Sequence, residues 1–168
     1  MKNTIKSILI ALLISSAFNV NAQKLGHVDM QQISLELPAY SEAEAELQSM
    51  TETAQKEIQQ YEKLTNEEIE KYKTEMQNLS EDARSRREAF LMERQQNIQK
   101  KEYEWQQKIQ TTQQQLMSKI QTIVIEASKA VAKEEGYLYV FEKGSLVHAG
   151  GDDISNKVRK KLGIITSN

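Results

Sequence analysis

Residues 39–135 read AY SEAEAELQSM TETAQKEIQQ YEKLTNEEIE KYKTEMQNLS EDARSRREAF LMERQQNIQK KEYEWQQKIQ TTQQQLMSKI QTIVIEASKA VAKEE. This run contains neither glycine nor proline, because Pro38 is the only proline and no glycine lies between Gly26 and Gly136. Glycine and proline are the usual breakers of regular structure, and the residues that dominate here favour helix. One straight helix of this length would measure about 145 Å. The run therefore predicts very long helices.

The N-terminal segment, residues 1–22, has the pattern of a secretory signal peptide. Lys2 and Lys6 precede a mostly apolar stretch, and small residues lead up to Ala22. This pattern predicts export of the protein and cleavage after Ala22. An uncleaved membrane anchor is the alternative, although the apolar stretch is shorter than the roughly 20 residues of a membrane span.

Composition excludes several classes of protein. Removal of Lys2 and Lys6 leaves 20 of the 22 basic residues against 24 acidic ones, a net charge of −4. A nucleic-acid-binding domain is expected to be strongly basic, so no nucleic-acid partner is predicted. The chain has no cysteine, which excludes disulfides and thiol catalysis. His27 and His148 lack the clustered ligands of a metal site, and we expect them to be structural. We expect no enzyme activity, metal or cofactor.

The run divides into two predicted helices. Ser41 is the predicted N-cap of the first helix, and residues 78–82 carry a break in which Ser80 caps the second. The second helix is predicted from Glu81 to Glu135. Apolar residues recur at steps of three and four, and Tyr61 and Tyr72 are eleven apart. This drifting phase predicts a nearly straight helix pair.

Short strand-like stretches flank the helical run. Residues 24–30 alternate in polarity, and residues 137–141 are rich in aromatic and β-branched side chains. The dipeptide Lys143-Gly144 predicts a turn into a returning strand over residues 145–148, which would complete a β-hairpin.

The C-terminal residues predict one more helix. Asp152 or Asp153 is its predicted cap, and Gly163 its predicted end. The inner stripe of this helix comprises Ile154, Val158 and Leu162.

The strand over residues 24–30 needs a sheet partner, because an isolated strand leaves its backbone groups unsatisfied. The other strand-like stretches lie more than 100 residues later, so the chain must travel out and return. The prediction is a mostly α, α+β fold. Residues 41–104 form an antiparallel helical hairpin arm with its tip near 78–82, and residues 23–40 and 105–168 form a small β-rich body.

Such a body is marginal alone, and it offers more apolar surface than one chain can cover. Self-association is therefore expected, with a monomer as the alternative. The residues expected in the oligomer interface and body are Val28, Met30, Trp105, Ile109, Leu116, Ile120, Ile123, Val124, Val140, Ile154, Val158 and Leu162.

The arm surface combines sparse apolar side chains with charges. Flexible apolar groups on a mobile arm can accommodate varied apolar partners. The start of the second helix is locally basic and predicts contact with anionic lipid headgroups or acidic clients. A solvated face that answers the acidic residues of the first helix is the alternative. The basic residues are Arg84, Arg86, Arg87 and Arg94.

Together, the signal peptide, the strand at residues 24–30, the charged Gln-rich hairpin, the strand after Gly136 and the closing stretch from Asp152 resemble the Skp (OmpH) family of periplasmic chaperones. The resemblance implies a periplasmic homotrimer whose three arms enclose a cavity. It implies binding of unfolded outer-membrane β-barrel proteins without ATP, and an anionic lipid or lipopolysaccharide surface as a further partner. The expected client contacts are Tyr61, Leu64, Tyr72, Met76, Leu79, Phe90, Leu91 and Ile98. A structural coiled-coil spacer or adaptor of the cell envelope is the rival hypothesis.

Overall fold

A computed structural model describes residues 23–164, so the predicted signal peptide lies outside the described residues. The fold is α+β and mostly helical, as predicted. Its elements in chain order are β1 (Leu25–Val28), α1 (Met30–Glu36), α2 (Pro38–Glu75), a 3-10 turn (Met76–Asn78), α3 (Glu81–Glu135), β2 (Tyr139–Glu142), a second 3-10 turn (Lys143–Ser145), β3 (Asp152–Asp153) and α4 (Ser155–Lys161).

The described chain forms two compact units. The body comprises residues 23–30 and 126–164, and the arm comprises residues 31–125.

The sheet of the body is parallel throughout, with strand order β2-β1-β3. Leu25 is paired with Tyr139, and His27 with Phe141 on one side and with Asp153 on the other. The pairing of β1 with β2 joins parts of the chain that are more than 100 residues apart. It confirms the prediction that the chain travels out and returns.

The predicted β-hairpin after β2 is wrong. The Lys143-Gly144 dipeptide lies in a 3-10 turn, and residues 145–148 form no strand. The segment from β2 to β3 must instead carry the chain from one edge of β1 to the other, which a tight hairpin cannot do. β3 then pairs with β1 through Gly26 and His27.

Two predicted helix starts need correction. α2 begins at Pro38, with Leu37 as its N-cap, because proline has a fixed φ that suits the first helical position. Ser41 lies inside the helix, where its hydroxyl donates a hydrogen bond to the Pro38 carbonyl oxygen at 2.9 Å. Asp153 belongs to β3, yet its Oδ1 still accepts a hydrogen bond from the Ser155 backbone N–H at 2.9 Å.

The core of the body lies under the sheet and is small and aliphatic. Val28, Ile154 and Val158 are each at most 2% exposed, and Val131 is also buried. Gly163, with φ of 71°, follows α4 and confirms the predicted end of the last helix.

In the arm, α2 and α3 run antiparallel. Glu57 contacts Lys101, whereas Glu68, further along α2, contacts Arg87, which comes earlier in α3. The bounds of α3, Glu81–Glu135, are those predicted. The buried residues of α2 include Ala43, Ala54 and Thr65, which lie eleven apart. An eleven-residue repeat keeps one side of a helix facing its neighbour with little supercoil.

Candidate functional site

One carboxylate connects the two long helices of the arm. Oε1 of Glu57 accepts a hydrogen bond from Lys101 Nζ at 2.7 Å, and Oε2 accepts one from Trp105 Nε1 at 2.9 Å. The hydrogen bond from Lys101, followed by that from Trp105, lowers the pKa of Glu57. The same bond with Glu57 raises the pKa of Lys101. The contacts among Glu57, Lys101 and Trp105 therefore favour the ionised carboxylate of Glu57 and the protonated amine of Lys101.

A second set of contacts lies closer to the turn between the helices. Arg87 forms an ion pair with Glu68, and the Tyr72 hydroxyl donates a hydrogen bond to Glu88 Oε1 at 2.5 Å. This hydrogen bond to Glu88 raises the pKa of Tyr72. Tyr72 of α2 is buried, and its hydrogen bond to Glu88 of α3 connects the two helices.

The turn at the end of the arm is held by one arginine. Arg84 donates from Nε to the Leu79 carbonyl oxygen at 3.1 Å and from Nη2 to the Gln77 carbonyl oxygen at 3.5 Å. The Ser80 hydroxyl accepts a hydrogen bond from the Ala83 backbone N–H at 3.3 Å, which confirms its predicted cap role. The role of Arg84 could not be predicted from the sequence, because the spacing of residues does not indicate that a side chain folds back onto the preceding turn.

The basic residues of early α3 have different partners. Arg86 pairs with Asp82 at 2.7 Å, one helical turn away. Arg87 forms an ion pair with Glu68 of α2. This agrees with the alternative that the basic residues of α3 neutralise the acidic residues of the first helix. Arg94 lies over the ring of Phe90, with 5.1 Å between the guanidinium carbon and the ring centroid. Lipid contact by these arginines stays a prediction.

The predicted client contacts fall into three classes of exposure. Leu64, Met76 and Phe90 have exposed fractions of 42%, 38% and 38%. Tyr72 and Leu91 are buried, so a client can reach them only if the helices separate. The half-buried members are Tyr61, Leu79 and Ile98.

Met92 and Tyr103 of α3 are also exposed, and neither belongs to the predicted client or interface residues. Met92 precedes Glu93, and Tyr103 lies between Glu102 and Glu104. Their exposure depends on the phase of α3 relative to α2, which the sequence pattern does not give.

The predicted interface residues are also divided. Five are buried within the single chain and belong to its core, namely Val28, Ile120, Val124, Ile154 and Val158. Ile123 is exposed, and six are half-buried, namely Met30, Trp105, Ile109, Leu116, Val140 and Leu162.

The body has an exposed apolar sheet face that the sequence analysis did not identify. Leu25 and Tyr139 are paired, as are His27 and Phe141, so these side chains share one face. The rings of Tyr139 and Phe141 stack at a centroid distance of 6.2 Å. Leu25, Tyr139 and Phe141 are all more than 40% exposed. The alternation of β2 contained this signal, because alternate residues of a strand point to the same side.

A cleft of ≈ 730 Å³ adjoins this face and is lined by Leu25, His27, Phe141 and His148, among others. His27 is buried, with Nε2 3.6 Å from Asp153 Oδ2. Burial alone would raise the pKa of Asp153, but hydrogen bonds from Ser155 and the nearby His27 lower it overall. In residues 23–164 no three histidine or acidic side chains lie close enough together to hold a metal ion.

The sequence profile of a family described as outer membrane protein (OmpH-like) matches residues 24–162. The chain belongs to the OmpH-like family. A crystal structure from Caulobacter crescentus CB15, assigned as an OmpH-like outer membrane chaperone, has the same fold. It superposes with a TM-score of 0.70 at 14% sequence identity, over 86% of this chain and 88% of that chain. No curated protein sequence matches this member of the OmpH-like family. None of its described helices has the length and apolar character of a membrane span.

Proposed function

We propose that this protein is a periplasmic chaperone that binds unfolded outer-membrane β-barrel proteins and prevents their aggregation without ATP. Membership of the OmpH-like family supports this role, and the related Caulobacter protein carries a chaperone assignment. The observation that carries the proposal is a helical hairpin whose exposed apolar side chains are dispersed among charges. Leu64, Met76, Phe90 and Met92 are the main examples.

Dispersed contacts suit a chaperone that must release its client. Each of these side chains can bury only part of its surface against a partner, so each contact is weak and the total grows with the number of contacts. Methionine adapts its shape to varied apolar partners. Without a nucleotide cycle, the client leaves by mass action when its own folding competes with binding.

The active form in this proposal is a homotrimer. The exposed face formed by Leu25, Tyr139 and Phe141 supports self-association, because soluble monomers rarely leave stacked aromatic rings and neighbouring aliphatic groups open to solvent. β2 also has a free edge in the described sheet, since it pairs with β1 alone. Three arms around one axis would enclose a client from several sides.

The arm contacts can be tested with a triple variant, Leu64→Ser, Met76→Ser and Phe90→Ser. Tyr72 is left intact because its hydrogen bond to Glu88 stabilises the hairpin. The variant should suppress the aggregation of a urea-diluted β-barrel protein at least severalfold less well than the wild type, as measured by light scattering. Its oligomer mass and circular dichroism should not change.

The matched control carries serine at three exposed polar positions of the same helices and turn, Asn66, Gln77 and Gln95. It should keep full suppression, since it removes no apolar contact. Equal suppression by the apolar variant, the control and the wild type would show that the arm surface does not bind clients.

A structural spacer of the cell envelope is the second candidate. The hydrogen bonds and ion pair that Glu57, Glu68 and Tyr72 form with α3 favour this role, because they stiffen the hairpin. Hydrogen exchange separates the two roles. Strong protection throughout residues 60–100 without client indicates a spacer, whereas protection that rises on client binding indicates the chaperone.

A further inference from the structure

The cations of α3 and the carboxylates of α2 follow different repeats. Arg87, Arg94 and Lys101 lie seven residues apart in α3 and are all half-buried. Their partners in α2, Glu57 and Glu68, lie eleven apart. Two carboxylates at this spacing reach the outer two cations of the row and leave the middle one between them.

Arg94 is that middle cation. Its neighbours three and four positions away on α3 carry no negative charge. Within residues 23–164 the Arg94 guanidinium makes no ion pair, and its one described partner is the Phe90 ring, 5.1 Å away. The helix neighbours are Phe90, Leu91, Asn97 and Ile98.

A half-buried guanidinium without a counter-charge attracts a carboxylate more strongly than a fully exposed one, because less water screens it. Phe90, which is 38% exposed, offers an apolar surface directly beside it. The pair can therefore bind a charged and an apolar group at once.

We propose that Arg94 and Phe90 form a joint contact for unfolded polypeptide segments in which an acidic side chain adjoins an apolar one. This inference rests on the chaperone role proposed above and specifies which client segments the arm prefers. Arg94 selects for the carboxylate, and Phe90 packs against the apolar neighbour.

The charges of the arm favour a polypeptide over an anionic membrane as the occupant. Residues 31–125 contain 12 basic against 17 acidic residues, and such an arm is repelled by a continuous negative surface. A membrane surface is held by several cations acting together. Arg84, Arg86 and Arg87 are each engaged within the arm. Among the arginines of the arm, Arg94 alone has no ion pair or hydrogen bond within residues 23–164. A single guanidinium is suited to a single carboxylate.

The test uses the full mature chain and two unstructured, fluorescein-labelled peptides. One peptide carries repeated Phe-Asp pairs, and the other has every Asp replaced by Asn. Arg94→Gln should weaken binding of the Asp peptide roughly threefold and leave binding of the Asn peptide unchanged. Arg86→Gln removes the same charge from a residue that is paired with Asp82, and it should affect neither peptide selectively. Arg94→Lys should retain part of the preference.

Equal effects of Arg94→Gln on both peptides would overturn the inference, as would equal effects of the two glutamine variants on the Asp peptide. Phosphatidylglycerol vesicles form a separate arm of the experiment. Loss of vesicle binding in Arg94→Gln with unchanged peptide binding would assign Arg94 to lipid and also overturn it. Failure of the wild type to suppress aggregation of a denatured β-barrel protein would refute the chaperone role itself, which is a different result.

Discussion

The indole nitrogen of Trp105 donates a hydrogen bond to Oε2 of Glu57 at 2.9 Å, although the two residues lie 48 positions apart in the sequence. Lys101 binds the other oxygen of the same carboxylate. Trp105 is the only tryptophan of the chain. Its fluorescence therefore reports directly on the contact between α2 and α3.

Replacement of Glu57 by alanine should loosen the arm around Trp105. Lys101 and Trp105 would lose their common acceptor, so the emission of Trp105 should shift to the red and the unfolding midpoint should fall by roughly 2–4 °C. Glu62→Ala is the control, since Glu62 is an exposed glutamate of the same helix. Identical melting curves for the two variants would contradict the assigned role of Glu57.

The same contact should make the arm sensitive to acid. The hydrogen bond from Lys101, with that from Trp105, lowers the pKa of Glu57 in the folded protein. Its stabilisation is therefore complete above the unfolded pKa of about 4.3 and is lost as the pH falls through the folded pKa. The melting midpoint of the wild type should fall in this acidic range more steeply than that of Glu57→Gln, which cannot titrate there. Parallel pH profiles would count against this linkage.

Gly151 is predicted to be essential for the pairing of β1 with β3. A Cβ at this position would lie 2.7 Å from the Leu25 carbonyl oxygen, a backbone atom that cannot move without disturbing β1. Gly151→Ala should lower the free energy of unfolding by about 1–3 kcal/mol in urea titrations. Gly144→Ala is the matched control, because the nearest atom to its Cβ would be 3.8 Å away. The prediction fails if both variants are as stable as the wild type.

Arg84→Gln should loosen the turn at the end of the arm. The variant loses the guanidinium donors to the carbonyl oxygens of Leu79 and Gln77, while the flanking helices keep their own hydrogen bonds. Amide hydrogen exchange over residues 76–84 should accelerate, without change in global stability. Arg86→Gln, which affects only a surface pair with Asp82, should not accelerate it. Equal exchange in the two variants would show that Arg84 does not hold the turn.

The long helices could be predicted from sequence because their signals are local. The absence of breakers between Pro38 and Gly136, and the cap at Ser80, placed α3 from Glu81 to Glu135. The predicted N-cap of α2, Ser41, lies four residues after the observed N-cap, Leu37, because Ser41 and Pro38 are both good starting residues and only the observed backbone distinguishes them.

The sheet could be predicted only in part. The need of β1 for a distant partner indicated its pairing with β2. The parallel position of β3 could not be predicted, because two paired residues, Asp152 and Asp153, leave no periodic pattern. A Lys-Gly turn signal then favoured a hairpin that does not form.

The candidate site was predicted by residue type but not by orientation. Phe90 and Leu91 are neighbours in α3, yet one is 38% exposed and the other 8%. Which of the two faces α2 depends on how the seven-residue spacing of the cations in α3 aligns with the eleven-residue spacing of the buried residues in α2. That phase is a property of the packed helix pair, and neither helix contains it alone.

The proposed chaperone role requires that the arms hold unfolded β-barrel proteins. This requirement can be tested by the mass of the complex that forms when a urea-denatured outer-membrane protein is diluted into the purified protein, measured by light scattering coupled to size exclusion. We expect a soluble complex of three copies of this chain with one client. Precipitated client beside an unchanged, client-free oligomer would contradict it.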